Sequence, residues 1–179
     1  MFLIVPTQFG TGFQVPQIQC VAIVRGGSKT RGQTVKFDFV NADADVTDND
    51  MDGGTNSGFA NVIATTTASE AGGMFAVIEK AYTKTASPSS TVADDKEALV
   101  TMYGITQALI KKASGSLAKE DKLVIDVSVS ATGLTSDADS AGVDHKVVAF
   151  ALAALTTPTT ETLARVFFFG GLPGGMVEA

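Results

Sequence analysis

The run DKLVIDVSVSA, Asp121 to Ala131, alternates apolar and polar residues more regularly than any other stretch of the chain. Leu123, Ile125, Val127 and Val129 fall on one side, and Asp126, Ser128 and Ser130 on the other. That period of two is the pattern of a strand with one dry and one wet face. The run also has a partner earlier in the chain. Gly27 to Phe39 (GSKTRGQTVKFDF) aligns without a gap on Gly115 to Val127 (GSLAKEDKLVIDV). Gly, Ser and Asp are identical, and Arg31/Lys119, Val35/Leu123, Phe37/Ile125 and Phe39/Val127 are conservative.

The neighbouring blocks extend the match in both directions, as a repeat requires. Ala22 to Arg25 corresponds to Ala108 to Lys111. Acidic, glycine-bearing loops follow, Asn41 to Gly58 and Thr135 to Asp144. Met74 to Ile78 then corresponds to Val147 to Ala151. A Thr/Pro/Ser loop comes next in each copy, Thr83 to Val92 and Thr156 to Thr162. Each copy ends in a strand-like run closed by glycine, Glu97 to Gly104 and Leu163 to Gly171. The order of blocks divides the chain into an N-terminal arm (1–17), a first β repeat (18–104), a second β repeat (105–171) and a C-terminal tail (172–179).

Composition fits this. The chain has 179 residues, of which 45% are hydrophobic and only 18% charged, so it is not a disordered chain. At this length folding buries roughly 70% of the unfolded surface, enough for a core without staples. Abundant Thr, Val and Gly favour many short strands. The fold class expected is all-β: a short-stranded β-sandwich or barrel-like fold built from two degenerate tandem repeats, with an N-terminal arm. Strands are expected at about 17–25, 34–40, 59–66, 74–83, 123–131, 146–155 and 163–169. One segment, Asp94 to Ala113, reads two ways. Leu99, Met102, Tyr103, Thr106, Leu109 and Ile110 recur at helical spacing, but Gly104 lies mid-run and Val100, Thr101, Ile105 and Thr106 are β-branched. The repeat equates its first half with Ala164 to Phe169, which favours two strands broken at Gly104.

The residues that carry chemistry are few. Thirteen Lys and Arg, spread out against nineteen Asp and Glu, give a net charge of −6, which argues against nucleic acid and anionic membranes as partners. The single Cys20 cannot form an internal disulfide, and nothing beside it supplies a base. The single His145 sits in a polar loop with no nucleophile elbow in the chain, and one His with one Cys excludes the usual zinc sites. Gly10-Thr11-Gly12 lacks the third glycine of a dinucleotide loop. Asp48, Asp50, Asp52 and Gly53 match the opening of a calcium loop, but the twelfth position is Phe59 rather than Glu. The loop is expected to be solvated and acidic, without a cation. No catalytic, cofactor-binding or metal site is expected, and no enzyme activity. Met1 to Val5 is apolar but stops at Pro6, too short for a signal or membrane segment. It must still be covered by something.

The order Gly32 to Asp38, Ser57 to Ile63, Gly72 to Val77, His145 to Leu152 and Arg165 to Gly170 resembles small virion structural proteins of tailed bacteriophages, of the capsid decoration (cement) type. The resemblance covers most of residues 18–171; the arm and the acidic loop have no match in it. It implies a β-rich fold, a homo-oligomer (often a trimer) on the outer capsid, the major capsid protein as partner, and no catalysis. Two alternatives remain open: a tail, baseplate or other virion component, and a β-sandwich module that binds ligands or carbohydrate through calcium.

Overall fold

A computed structural model describes residues 3–9, 13–38, 60–64, 73–82, 90–94, 96–139 and 146–171. None of these residues lies in an α-helix. The strands are β1 (Leu3–Phe9), β2 (Phe13–Arg25), β3 (Lys29–Thr30), β4 (Thr34–Asp38), β5 (Ala60–Ala64), β6 (Phe75–Ala81), β7 (Thr91–Val92), β8 (Glu97–Ile110), β9 (Lys122–Val124), β10 (Thr135–Ser136), β11 (Val147–Ala151) and β12 (Thr162–Phe168). The all-β expectation holds.

Strand β8 organises the rest. Its first half lies between β6 and β2, and its second half pairs with β12. The first half closes a ring. β2 runs parallel to β5, and the pairings β5–β4, β4–β6, β6–β8 and β8–β2 are antiparallel. The second half closes another ring through β12, β11, β9 and β10, which returns to β8 by a parallel bridge from Leu134 to Ile110.

The two rings follow the sequence blocks residue by residue. Ala22 pairs with Ala98, and their counterparts Ala108 and Ala164 pair with each other. Ile78 faces Val100 as Ala151 faces Val166. Val35 faces Ala76 as Leu123 faces Ala149. Even the parallel contact of Val24 with Val62 recurs as Ile110 with Leu134. The cores correspond in the same way. Val24, Val35, Phe37, Val100 and Met102 pack inside the first ring; Ile110, Leu123, Ile125, Val166 and Phe168 pack inside the second. Burying each such side chain contributes about 1.5–3 kcal/mol.

The alternation of β8 reverses midway, so that even-numbered residues line the first ring before Gly104 and the second ring after it. Thr101 and Thr106 hydrogen-bond the same Glu79 carboxylate, although an odd separation of five should put them on opposite faces. The register between β2 and β8 shifts between Ile18 and Gln19, and Gly104 beside it has φ +108°. A bulge of this kind re-aims the side chains that follow it. Only glycine fits there: a Cβ on Gly104 would lie 2.8 Å from the Pro16 oxygen and 2.9 Å from the Gln17 Cα. The reversal brings Phe75 and Val77, on the outer face of the first ring, into the core of the second.

Three expectations are corrected. The segment 94–113 is neither a helix nor two separate strands, since β8 runs unbroken from Glu97 to Ile110 with the bulge inside it. The long strand expected over 123–131 stops at Val124. The Asp126 carboxylate accepts hydrogen bonds from the Ser128 amide and hydroxyl, and the Asp126 carbonyl accepts from Val129 and Ser130. This side-chain-to-backbone turn outcompetes the strand. Asp126 and Ser130, read as the wet face, are therefore buried. Finally, residues 13–17 are not part of a separate arm but the opening of β2, which pairs with β1 as a hairpin. Pro6 faces Pro16 there, a position that must be non-hydrogen-bonded because neither has an N–H.

Glu120 takes φ +70° at the position where the first repeat has Gly32 with φ +83°. A residue with a Cβ is disfavoured there by about 1–2 kcal/mol. Glu120→Gly is expected to stabilise the protein by about 1 kcal/mol in urea unfolding, less the extra freedom it gives the unfolded chain. Gly104→Ala is expected to cost about 2 kcal/mol or more and to lower both rings together in one cooperative transition. Two separate transitions would show that β8 does not couple them.

Candidate interaction surface

The polar side chains of the described residues are largely committed to the fold. Thr101, completely buried, donates to Glu79 Oε1 at 2.5 Å and accepts from the amides of Gln17 and Gln19, each at 3.1 Å. Gln17 also donates to the Ile105 carbonyl at 3.1 Å. These bonds tie the root of the hairpin across β8 at its bulge. Lys29 is buried, with Nζ donating to the carbonyls of Gly26 (2.7 Å) and Gly27 (2.9 Å). Burial pushes its pKa down, opposed by Asp94. Its counterpart in the second repeat, Leu117, is a core residue. Lys146 joins the rings: its Nζ donates to the Gly73 carbonyl at 3.1 Å and lies 5.5 Å from the centre of the Phe75 ring. Burial lowers its pKa as well.

Cys20 is half-buried against the core of the first ring. Burial pushes its thiol up to about 11, with a smaller opposing pull from the N-terminal charge. Such a thiol stays protonated at neutral pH and is a poor nucleophile. Among the described residues no three of His, Cys, Asp and Glu come together as metal ligands. His145, Asp43 to Gly53, Phe59 and Gly10 to Gly12 lie outside the described residues. In the second acidic loop, Asp137 to Asp139 forms a short 3-10 turn after β10.

The surface that stands out is aromatic. On the outer face of the second ring Phe150 and Phe169 lie 5.3 Å apart, Phe167 and Phe169 6.2 Å, and Tyr103 meets Phe167 edge-on at 5.3 Å. Phe169 is buried beneath them with Val124 and Val147, while Tyr103, Phe150 and Phe167 are partly buried. Such offset and edge-on contacts contribute about 0.5–1.5 kcal/mol each beyond burial. Leu163, 38% exposed, lies on the same face of β12 as Phe167. The hairpin leaves the first ring beside this face, since Ile18 pairs with Tyr103. The sequence reading identified the strand but not the surface. The signal was the Phe167-Phe168-Phe169 run, which alternation splits into two outward rings and one inward.

No protein-family model matches this chain, and no curated protein matches it in sequence. No helix among the described residues is long and apolar enough to cross a membrane, which leaves membrane-spanning strands unaddressed.

Thr101→Val is expected to cost about 1–3 kcal/mol, because it strips the Gln17 and Gln19 amides and the Glu79 carboxylate of a buried partner. Thermal unfolding beside Thr106→Val measures this. The Cys20 thiol is expected to ionise, by its ultraviolet absorbance, near pH 11 rather than 9. Because the folded pKa is raised, this contribution to stability is whole below pH 9 and is lost as pH rises from 9 to about 11.

Proposed function

We propose that this chain is a non-enzymatic structural protein of a tailed-phage virion, a decoration or cement protein that self-associates and binds the outer capsid surface. The observation that carries the reading is the aromatic face of the second ring, a partly exposed apolar surface on a fold whose polar groups are spent on holding itself together. Large exposed apolar patches mark sites of protein association. The segments that resemble the decoration proteins include β4, β5, β6, β11 and β12, five of the strands of the two rings. The hairpin adds a second apolar element at the edge of the first ring: β1 pairs with β2 and, among the described residues, with nothing else.

Incubation with undecorated capsids of the source phage tests the reading. Saturable co-sedimentation is expected, together with a higher temperature of capsid disruption. Binding that never saturates, or saturation without any gain in capsid resistance, would overturn it. Removing residues 1–12, which deletes β1, is expected to lower capsid occupancy while the thermal transition of the rings moves little. Unfolding of the shortened chain would instead make β1 part of its own core.

A further inference from the structure

The hairpin of β1 and β2 is built from uncharged sequence. Residues 1–24 hold no Asp, Glu, Lys or Arg, yet two of the five prolines fall here and face each other, Pro6 and Pro16. In an antiparallel ladder, pairs that exchange two hydrogen bonds alternate with pairs whose N–H and C=O groups point away from the partner. Proline has no N–H, so Pro6 and Pro16 form a pair of the second kind. The register then makes Ile4–Ile18 and Gln8–Gln14 outward pairs too, and Val5–Gln17 and Thr7–Val15 bonded ones. The Pro16 carbonyl agrees with this: it lies on the β8 side of β2, 2.8 Å from where a Cβ on Gly104 would be. Each long edge of the hairpin therefore lacks a donor in its middle. On β1 the gap falls between the outward amides of Ile4 and Gln8, and on β2 between those of Gln14 and Ile18.

The repeat shows what stands at these places where the sheet goes on. β2 aligns with β8 so that Ala22 falls on Ala108. Carried back along both strands, the alignment puts Pro16 on Met102 and, through the two registers, Thr7 on Val77 and Pro6 on Ala76. Ala76 has a neighbour on its far side, Val35 of β4. Met102 has one as well, since its carbonyl accepts from the Gly171 amide at 3.0 Å. The same positions carry a residue with an N–H where the sheet continues, and proline where, among the described residues, it stops. We infer that Pro6 and Pro16 guard the two edges of the hairpin: they stop a strand of any other chain from extending this uncharged sheet. Uncharged apolar segments of high strand propensity are the ones that stack edge to edge. Proline on an edge strand is one defence against this, and charged side chains, another, are absent here. The hairpin then meets a partner through the faces of its strands and neither donates nor accepts a strand. The inference concerns the hairpin alone and holds for any partner of the aromatic face.

Hydrogen exchange of the full chain tests it without any substitution. The outward amides of Ile4, Gln8 and Gln14 are expected to exchange freely, while those of Val5, Thr7, Val15 and Gln17 are protected. Protection of the outward amides, or no difference between the two sets, overturns the inference. Substitution tests it from the other side. Pro6→Ala restores the outward N–H that Ala76 has in the first ring, and the double variant Pro6→Ala, Pro16→Ala restores both. The double variant is expected to form thioflavin-binding aggregates at about tenfold lower concentration than the unaltered protein, because each restored donor adds a hydrogen bond to an incoming strand. Pro6→Ala alone is expected to shift the threshold in the same direction. Pro6 lies across β2 from Gly104, so the single variant keeps the test valid even where Pro16→Ala disturbs the bulge. Thr7→Ala alters a bonded pair, adds no outward donor and is expected to leave the threshold unchanged. Proline variants that aggregate no sooner than the unaltered protein, or an equal fall with Thr7→Ala, overturn the inference.

Discussion

The structure depends on one constraint: β8 must serve two rings whose interiors lie on opposite faces of it. The core residues of both halves sit at even positions, Ala98, Val100 and Met102 in the first and Ala108 and Ile110 in the second, so unbroken alternation would turn both sets to one face. Gly104 and the adjacent register shift supply the reversal. The same point is where the backbone of Pro16 and Gln17 comes closest to β8, so a side chain there is excluded twice, by conformation and by space. Glu79, Thr101, Thr106, Gln17 and Gln19 then saturate the polar groups that the irregularity leaves at the junction. An unsatisfied group at such a depth would cost about 1–3 kcal/mol.

The shared strand fixes how the rings relate. Phe75 and Val77 belong by sequence to the first ring but by packing to the core of the second. Neither ring is therefore an independent domain, and the boundary at Gly104 is a bulge inside a strand rather than a linker. Between the copies the inward positions keep their apolar character with exchanges of size, Val35 for Leu123 or Met102 for Phe168. The outward and turn positions diverge freely, Gly32 against Glu120 and Thr101 against Phe167, and one buried position does so too, Lys29 against Leu117.

Buried polar groups here serve the hairpin root, the ring junction and the turns. Of the large apolar side chains described, only Tyr82 and Leu163 are exposed, while Tyr103, Phe150 and Phe167 are partly buried. Rings in edge-on and tilted contact bury area with little loss of side-chain freedom.

The sequence alone was enough for the strand class, the repeat and its register. Alternation over Val35, Phe37, Leu123 and Ile125, and the equal order of blocks, depend only on local periodicity and on comparing the chain with itself. It was not enough where two local rules competed. Asp126 could point to solvent from a strand or bond the amide of Ser128, and only the packing of β9 against β11 decided for the turn. Leu99 to Ile110 carries both helical spacing and β-branched residues, and neighbours on both sides of β8 settled it. The aromatic face lay beyond sequence for a further reason. Tyr103, Phe150, Phe167 and Phe169 come from three strands separated by long loops, and only closure of the second ring places their rings within 5.3–6.2 Å of one another.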